Sequence, residues 1–126
     1  MSSLKLSTLP KTWILDLDGT IFKHNAYLED NEDELVLPYV SDFISKISPN
    51  DYIIILTSRD EKFREATINA LRKNNIRYDI LLMGLPIGER ILINDKKESG
   101  MKTAYAVNIK RNSGLKSILI NFFDGT

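Results

Sequence analysis

The chain has 126 residues, with 17 basic and 17 acidic side chains, one histidine and no cysteine. An apolar fraction of 43% is typical of a folded globular protein and excludes a disordered or fibrous chain. The absence of cysteine excludes disulfides, cysteine-based zinc sites and a thiol nucleophile. The sequence has no apolar run long enough to cross a membrane and no apolar secretion signal at its start. We therefore expect a cytoplasmic protein with no membrane partner.

The balanced total charge conceals an uneven distribution along the chain. Residues 1–66 carry 12 acidic and 7 basic side chains, whereas residues 67–126 carry 5 acidic and 10 basic ones. Nucleic-acid-binding proteins usually carry an overall basic excess, so we expect no nucleic-acid partner. The basic second half fits two interpretations, a solvated surface or a surface that favours an anionic ligand.

Short apolar segments alternate with polar and amphipathic ones, and the length predicts one domain over residues 1–126. The first four segments are almost continuously apolar, which is typical of strands buried on both faces of a parallel sheet. A further apolar segment at 116–123 fits either a strand or a helix. The predicted strands are 13–17, 52–56, 79–83, 91–93 and 104–109.

Two helices are predicted between the first three strands. The first begins near Pro38 and ends before Pro49, because apolar residues recur at helical spacing between the two prolines. The second covers residues 60–74, with acidic residues at its start and basic residues at its end, as the helix dipole favours. The alternation predicts an α/β fold: a three-layer sandwich with a central parallel sheet and helices on both faces.

Polar residues follow several of these strands, and ligands of such sheets bind beyond the carboxyl ends of the strands. Asp16 and Asp18 come at the end of the first strand, Thr57 and Ser58 follow the second, and Asp95 follows the fourth. We therefore expect these five side chains at one edge of the sheet. Taken alone, Thr57 and Ser58 also fit a helix cap, and Asp95 with the asparagine before it fits a turn.

The strongest motif is residues 16–20, Asp-Leu-Asp-Gly-Thr. In an extended chain Asp16 and Asp18 point to the same side, and two neighbouring carboxylates repel unless a cation or proton lies between them. Mg²⁺ favours one or two carboxylates together with substrate phosphate, so the motif predicts a magnesium site. The alternatives are an Asp-Gly turn with an incidental acid, a calcium loop, whose glycine would lie three residues further on, and a phospho-receiver domain, which lacks the Asp-Gly-Thr continuation.

Residues 16–20 resemble the first motif of the haloacid dehalogenase (HAD) superfamily, whose members are mostly Mg²⁺-dependent phosphatases. Residues 54–59, Ile-Ile-Leu-Thr-Ser-Arg, resemble its second motif, and residues 91–95, Ile-Leu-Ile-Asn-Asp, resemble its fourth. The three motifs come in the order of the family within residues 12–97. The resemblance implies a HAD-like Rossmannoid fold.

The resemblance also implies a role for each matching residue. Asp16 would be the nucleophile that forms an aspartyl-phosphate, and Asp18 would be the general acid and base. Thr57 and Ser58 would bind the phosphoryl oxygens. Mg²⁺ would bind the Asp16 carboxylate, the Asp18 backbone carbonyl and Asp95, and would neutralise the transferred group.

The sequence departs from the family at the lysine that usually lies before the fourth motif, where Leu85 stands. Lys96 and Lys97 are the favoured substitutes as phosphate-binding cations, and Arg59 is a further candidate. Arg90 is disfavoured, because an extended strand would place it roughly 13 Å from the active end. A second departure is Asn94, which replaces an acidic residue of many relatives and predicts weaker metal binding.

Neither gap between the predicted strands is long enough for a cap domain, so we expect an open site. The acidic stretch 29–34 is interpreted as a solvated loop. The resulting hypothesis is a Mg²⁺-dependent phosphatase of a phosphomonoester, with a sugar phosphate as the candidate substrate. An open site would fit a large or polymer-borne phosphate, or it would be closed by a second subunit of a homo-oligomer. The alternatives are a HAD-like binding or regulatory module with little turnover, and phosphoryl transfer to an acceptor other than water.

Overall fold

The computed structural model describes residues 2–29 and 34–125, and within these ranges the chain forms five strands and two helices. Short 3₁₀ turns lie at Ala26–Leu28 and at Glu61–Phe63, the second leading directly into a helix. In chain order the elements are β1 (Ser2–Ser7), β2 (Thr12–Asp16), α1 (Val40–Ser45), β3 (Tyr52–Leu56), α2 (Arg64–Lys73), β4 (Ile80–Leu82) and β5 (Ile118–Phe123).

The strands form two separate parallel sheets. In the larger sheet the order is β2-β3-β4, with Ile14 opposite Ile54 and Ile54 opposite Ile80. In the smaller sheet β1 pairs with β5 in parallel, from Ser2 opposite Ile118 onwards. The predicted α/β class with parallel strands is therefore confirmed.

The hydrophobic core lies on one face of the larger sheet. Ile53 and Ile55 of β3 point into a cluster that also contains Val40 and Ile44 of α1 and Leu71 of α2. Neighbouring residues of a strand face opposite sides, so the other face carries a different set of side chains. That face leaves four apolar side chains exposed: Ile14, Tyr52, Ile80 and Leu82. The predicted three-layer sandwich around one central sheet is not confirmed, because the strands divide into two sheets and both helices contribute to the same core.

Both predicted helices are present, though the first is shorter than its apolar stripe suggests. Helix α1 ends at Ser45, and the buried Ile47 follows it in the irregular segment before β3. Before α2, the Asp60 carboxylate accepts a hydrogen bond of 2.9 Å from the Lys62 amide, as a helix-capping side chain does. In the described part of the chain, α2 and its 3₁₀ turn are the regular structure between β3 and β4, so this gap contains no cap domain.

The predicted strands 91–93 and 104–109 are wrong, because neither segment pairs with a sheet. Ile91 and Ile93 are 82% and 90% exposed, so the apolar run that predicted a buried strand lies at the surface. Residues 94–103 instead close a loop in which the Asn94 side-chain amide donates to the Thr103 hydroxyl at 2.9 Å. A short apolar run alone does not specify a strand, because its backbone groups also need a pairing partner.

Strand β1 was absent from the prediction, and the ambiguous segment at 116–123 is its partner. Leu4 and Leu6 alternate with Ser3 and Lys5, a pattern that fits a strand with one polar face. The Tyr105 hydroxyl also donates to the Lys5 carbonyl, which ties the irregular segment after β4 to this sheet.

Among residues 2–29 and 34–125, no helix combines the length and the apolar character that a membrane span requires.

Candidate strand-end site

Two neighbouring strands end side by side at the carboxyl edge of the larger sheet. Asp16, the last residue of β2, lies opposite Leu56, the last residue of β3. The chain then turns sharply at Gly19, whose positive φ of 87° favours glycine. A side-chain carbon at Gly19 would also lie 3.2 Å from Cγ of Arg111. The edge therefore carries Asp16 and Asp18 on one side and Thr57 on the other.

Asp18 is held by a network of short hydrogen bonds. Its carboxylate accepts a hydrogen bond of 3.0 Å from the Thr57 hydroxyl and bonds of 2.8 to 3.1 Å from Nη2 and Nε of Arg59. The side chains of Asp18 and Arg59 are 13% and 1% exposed, so this ion pair is largely removed from water. The Thr57 hydroxyl also accepts from the Arg59 amide at 3.0 Å, which fixes its orientation.

The buried Arg59 guanidinium joins Asp18 to a second carboxylate. Its Nη1 and Nη2 donate to Glu34 at 3.1 and 2.6 Å, and its Nη1 also donates to the Thr67 hydroxyl at 3.0 Å. The ring centroid of Tyr27 lies 4.0 Å from the guanidinium carbon. Burial alone would lower the pKa of Arg59, but the hydrogen bonds to Asp18 and Glu34 hold this pKa above its ordinary value. Arg59 is therefore a permanent buried cation.

Glu34 and Tyr27 belong to this network, and sequence reasoning missed both. Glu34 lies in the acidic stretch interpreted as a solvated loop, but its side chain is only 8% exposed. Residues 30–33 of that stretch lie outside the described residues. The signal that could have identified Glu34 is Arg59 itself, since a buried arginine after a strand requires carboxylate partners. Burial, reinforced by the negative charge of Asp18, raises the pKa of the Tyr27 phenol.

Asp16 has a more open environment. One carboxylate oxygen accepts a hydrogen bond of 3.0 Å from the Thr20 hydroxyl, and the other accepts one of 2.7 Å from Nη1 of Arg90. The side chains of Asp16 and Arg90 are each 38% exposed. The expected position of Arg90 is wrong, because an extended strand would have carried this arginine away from the edge. Residues 83–93 are irregular, and they bring Arg90 back to the end of β2.

The other predicted site residues lie away from regular structure. Ser58 is exposed after β3, whereas Asp95, Lys96 and Lys97 belong to the loop 94–103, in which the Lys97 amide donates to the Met101 carbonyl at 3.1 Å. The Asp95 carbonyl accepts a hydrogen bond from the Thr103 hydroxyl. Within the described ranges, no three side chains of His, Cys, Asp or Glu are grouped as a metal site. The predicted grouping of Asp95 with the two strand-end aspartates is therefore wrong, since no strand delivers Asp95 to the edge.

The arrangement of donors around the two aspartates bears on the predicted magnesium ion. Both carboxylate oxygens of Asp16 and both of Asp18 accept hydrogen bonds. Arg90 places a guanidinium cation at the Asp16 carboxylate, where the predicted ion would bind, and Arg59 places a second one at the Asp18 carboxylate beside it. Mg²⁺ takes oxygen ligands in near-octahedral geometry and is usually held by one or two carboxylates, with waters and phosphate oxygens in the other positions. In this arrangement, the residues present do not fit the ion.

Two solved structures are similar to this chain, and both are complexes of several proteins. A chain of "Structure of Pnkp1/Rnl/Hen1 complex" matches with a TM-score of 0.51 and 29% identity over 67% of this chain and 31% of its own length. A chain of "Structure of the Pnkp1/Rnl/Hen1 RNA repair complex" matches with a TM-score of 0.50 and 33% identity over 62% of this chain and 27% of its own. The protein thus spans between a quarter and a third of the length of the chains it matches. No family model and no curated protein sequence matches it.

The similarity corrects the interpretation that was based on sequence motifs. The similar chains come from an RNA repair complex, which contradicts the assignment to the HAD superfamily. The predicted Mg²⁺-dependent phosphatase, with its aspartyl-phosphate and sugar-phosphate substrate, is wrong on the same finding. The alternative of a HAD-like binding module gains no support. The expectation that nucleic acid is not involved also conflicts with this similarity.

Proposed function

We propose that this chain is an RNA-end-processing domain, and that its strand-end site receives the phosphate-bearing terminus of an RNA strand. The proposal rests on the Asp16–Arg90 pair at the end of β2, in a chain similar to members of an RNA repair complex. This pair combines a hydrogen-bond acceptor and a cationic donor at one open edge. Its two partners are partly exposed, and therefore a ligand can reach them.

An RNA terminus presents the two groups that this pair can bind. A phosphate carries acceptor oxygens and negative charge, which match the planar donor set of the Arg90 guanidinium. A ribose hydroxyl carries a proton that the Asp16 carboxylate can accept. Asp16 thereby has the position of a general base for a hydroxyl group at the RNA end. Arg90 would stabilise the charge on the neighbouring phosphate.

The network around Asp18 supports the site by holding its shape. Thr57 and Arg59 occupy the acceptor positions of Asp18, so this carboxylate is committed to contacts within the protein. Asp18 also begins the turn that returns the chain at Gly19, where the Asn112 amide donates to the Gly19 carbonyl at 2.9 Å. We assign Asp18 and Arg59 as positioning residues and Asp16 and Arg90 as the groups that contact RNA.

The charge of the segment from Arg90 to Lys116 supports RNA as the ligand. This segment contains seven basic residues and two acidic ones, so it accounts for the basic character of the second half of the chain. Six of the seven basic side chains are exposed. Lysine and arginine side chains bind the phosphate backbone of nucleic acids irrespective of its sequence. The six exposed ones are Arg90, Lys96, Lys102, Lys110, Arg111 and Lys116.

We also propose that the domain works with protein partners. The similar chains come from a complex of several proteins, and this chain corresponds to between a quarter and a third of each. The exposed face of the larger sheet offers a contiguous apolar surface, through Ile14 of β2 and Ile80 of β4, for such contacts.

The test compares RNA oligonucleotides that differ only in their ends: phosphate or hydroxyl at the 5′ terminus, phosphate or hydroxyl at the 3′ terminus, and a circular form without ends. Fluorescence anisotropy measures affinity, and mass spectrometry reads the end groups after incubation with Mg²⁺ and ATP. We expect tighter binding of one phosphorylated end and a changed end group. Arg90→Gln should weaken binding of that end by about tenfold or more, since it removes a charge-assisted hydrogen bond. Asp16→Asn should abolish the change of the end group.

The matched control is Arg64→Gln, because Arg64 is also a partly exposed arginine paired with one carboxylate, Glu61. This variant should retain wild-type affinity for the phosphorylated end. Equal affinity of the wild type for all linear and circular forms, with no change of any end group, would overturn the proposal.

A further inference from the structure

A cavity lies between the two sheets, apart from the strand-end site. It is a cleft of about 660 Å³ between β5, helix α1 and the beginning of β2. This volume is in the usual range for sites that bind small molecules, about 300–1,000 Å³. Trp13 lines the cleft from β2. Because Trp13 and Asp16 are three residues apart on one strand, their side chains leave opposite faces of the sheet.

Aromatic rings line this cleft. Trp13 and Phe43 meet edge to face, with ring centroids 5.8 Å apart and ring planes at 90°. The Trp13 indole nitrogen donates to the Asp51 carboxylate at 2.8 Å, which fixes the orientation of its ring. Tyr39 and Phe122 also line the cleft, and both keep more than half of their surface exposed. The cleft thus offers fixed rings inside and accessible rings at its border.

Lysine ammonium groups lie over the accessible rings. Lys116 Nζ is 5.2 Å from the ring centroid of Tyr39, and Lys11 Nζ is 5.3 Å from that of Phe122. Lys116 is also the last basic residue of the segment from Arg90 to Lys116. Lys116 therefore places a positive charge at the border of the cleft. Aromatic rings interleaved with cations are the combination that binds single-stranded nucleic acid, through base stacking and backbone attraction.

We infer that this cleft binds a nucleobase of single-stranded RNA, with the base stacked on the aromatic rings and the adjacent phosphates near Lys116 and Lys11. An apolar side chain of a protein partner would use the rings but would gain nothing from the lysines. Three lysines and two aspartates line the cleft, so its net charge is positive and favours RNA; they are Lys11, Lys46, Lys116, Asp42 and Asp51. The inference goes beyond the proposed function, because base binding here requires neither a terminal phosphate nor the Asp16–Arg90 pair.

Trp13 is the single tryptophan of the chain, and its fluorescence reports directly on the cleft. The probe is a single-stranded uridine hexamer with hydroxyl groups at both ends, so that no terminal phosphate contributes. We expect saturable quenching of Trp13 emission. Tyr39→Asn and Phe122→Leu should each weaken this binding by about fivefold or more, as the loss of a stacking ring does. Asn tolerates the positive φ of 63° at position 39, so the first variant keeps the local fold.

The matched control is Tyr52→Leu, which removes a partly exposed aromatic ring from the uncovered face of the larger sheet. It should bind the hexamer like the wild type. Because the hexamer carries no terminal phosphate, saturable quenching without any preference for phosphorylated ends would support this inference and contradict the proposed function, which separates the two. The inference is overturned by an unquenched Trp13 in the presence of bound hexamer, or by equal quenching with duplex RNA. A concentration-dependent shift of Trp13 emission without RNA would assign the cleft to self-association and would equally overturn it.

Discussion

Asp16 and Asp18 are two residues apart, yet they lie in opposite environments. Asp18 is 13% exposed and is paired with an arginine that is 1% exposed, whereas Asp16 and its arginine are both 38% exposed. Three separate groups of Arg59 donate to Asp18 or to its neighbour Glu34, but Arg90 makes one contact of 2.7 Å with Asp16. One pair is part of the interior, and the other is available to a ligand.

The comparison shows that one motif can supply both a structural and a reactive carboxylate. An ion pair in water contributes only about 0–1 kcal/mol, because solvent and salt screen the charges. Removing one partner of a buried pair costs about 3–5 kcal/mol, because the remaining charge is left without compensation. Burial therefore decides which of the two aspartates is needed to fold and which is free to react.

The largest expected effect follows the removal of the buried cation. Arg59→Met keeps an unbranched side chain but leaves Asp18 and Glu34 as buried carboxylates without a counter-charge. We expect the free energy of unfolding to fall by about 3–5 kcal/mol, measured by urea denaturation at neutral pH.

Arg64→Met is the matched control for this prediction, since Arg64 bonds to Glu61 at 2.7 Å on the surface. Its loss should cost less than about 1 kcal/mol. Equal destabilisation by both variants would show that the Arg59 network is no more important for folding than a surface pair.

The sequence predicts the first part of the fold well and the last part poorly. Strands 13–17 and 52–56 and the helix 60–74 correspond closely to β2, β3 and α2. Helices connect these strands in parallel pairs, so the apolar pattern of each run agrees with the strand pairing in the fold. The apolar run 91–93 has the same local pattern but finds no strand partner, and the sequence contains no signal for that difference.

The same distinction explains the candidate site. Asp16, Asp18 and Thr57 follow strands that the sequence predicts, and they lie at one edge. Asp95 depends on the strand that does not form. The position of Arg90 depends on the absence of that strand. The irregular chain brings Arg90 to Asp16, whereas a strand would carry it away.

A smaller effect on stability, with a distinct effect on metal binding, is expected for Arg90→Gln. The variant loses one exposed ion pair, so its free energy of unfolding should change by less than about 1 kcal/mol. It also frees one Asp16 oxygen and removes a positive charge, and we therefore expect it to bind Mg²⁺ more tightly than the wild type. Isothermal titration calorimetry measures both affinities. The double variant Asp16→Asn, Arg90→Gln should lose the increase in Mg²⁺ affinity. An unchanged Mg²⁺ affinity in Arg90→Gln would show that Arg90 does not compete with a cation.

The smallest expected effect is a loss of stability at alkaline pH that depends on Tyr27, whose ring lies beside Arg59. Burial and the charge of Asp18 raise the pKa of Tyr27 in the folded protein above its unfolded value of about 10. The folded state thus retains a proton that the unfolded state releases, so the stability from Tyr27 is present below pH ~10 and is lost as the pH rises through the folded pKa. Tyr27→Phe keeps the ring over Arg59 and cannot ionise. Urea unfolding at pH 8 and near pH 11 should show a smaller loss of unfolding free energy in this variant than in the wild type. Equal losses in the two proteins would show that the Tyr27 phenol is in an environment like that of water.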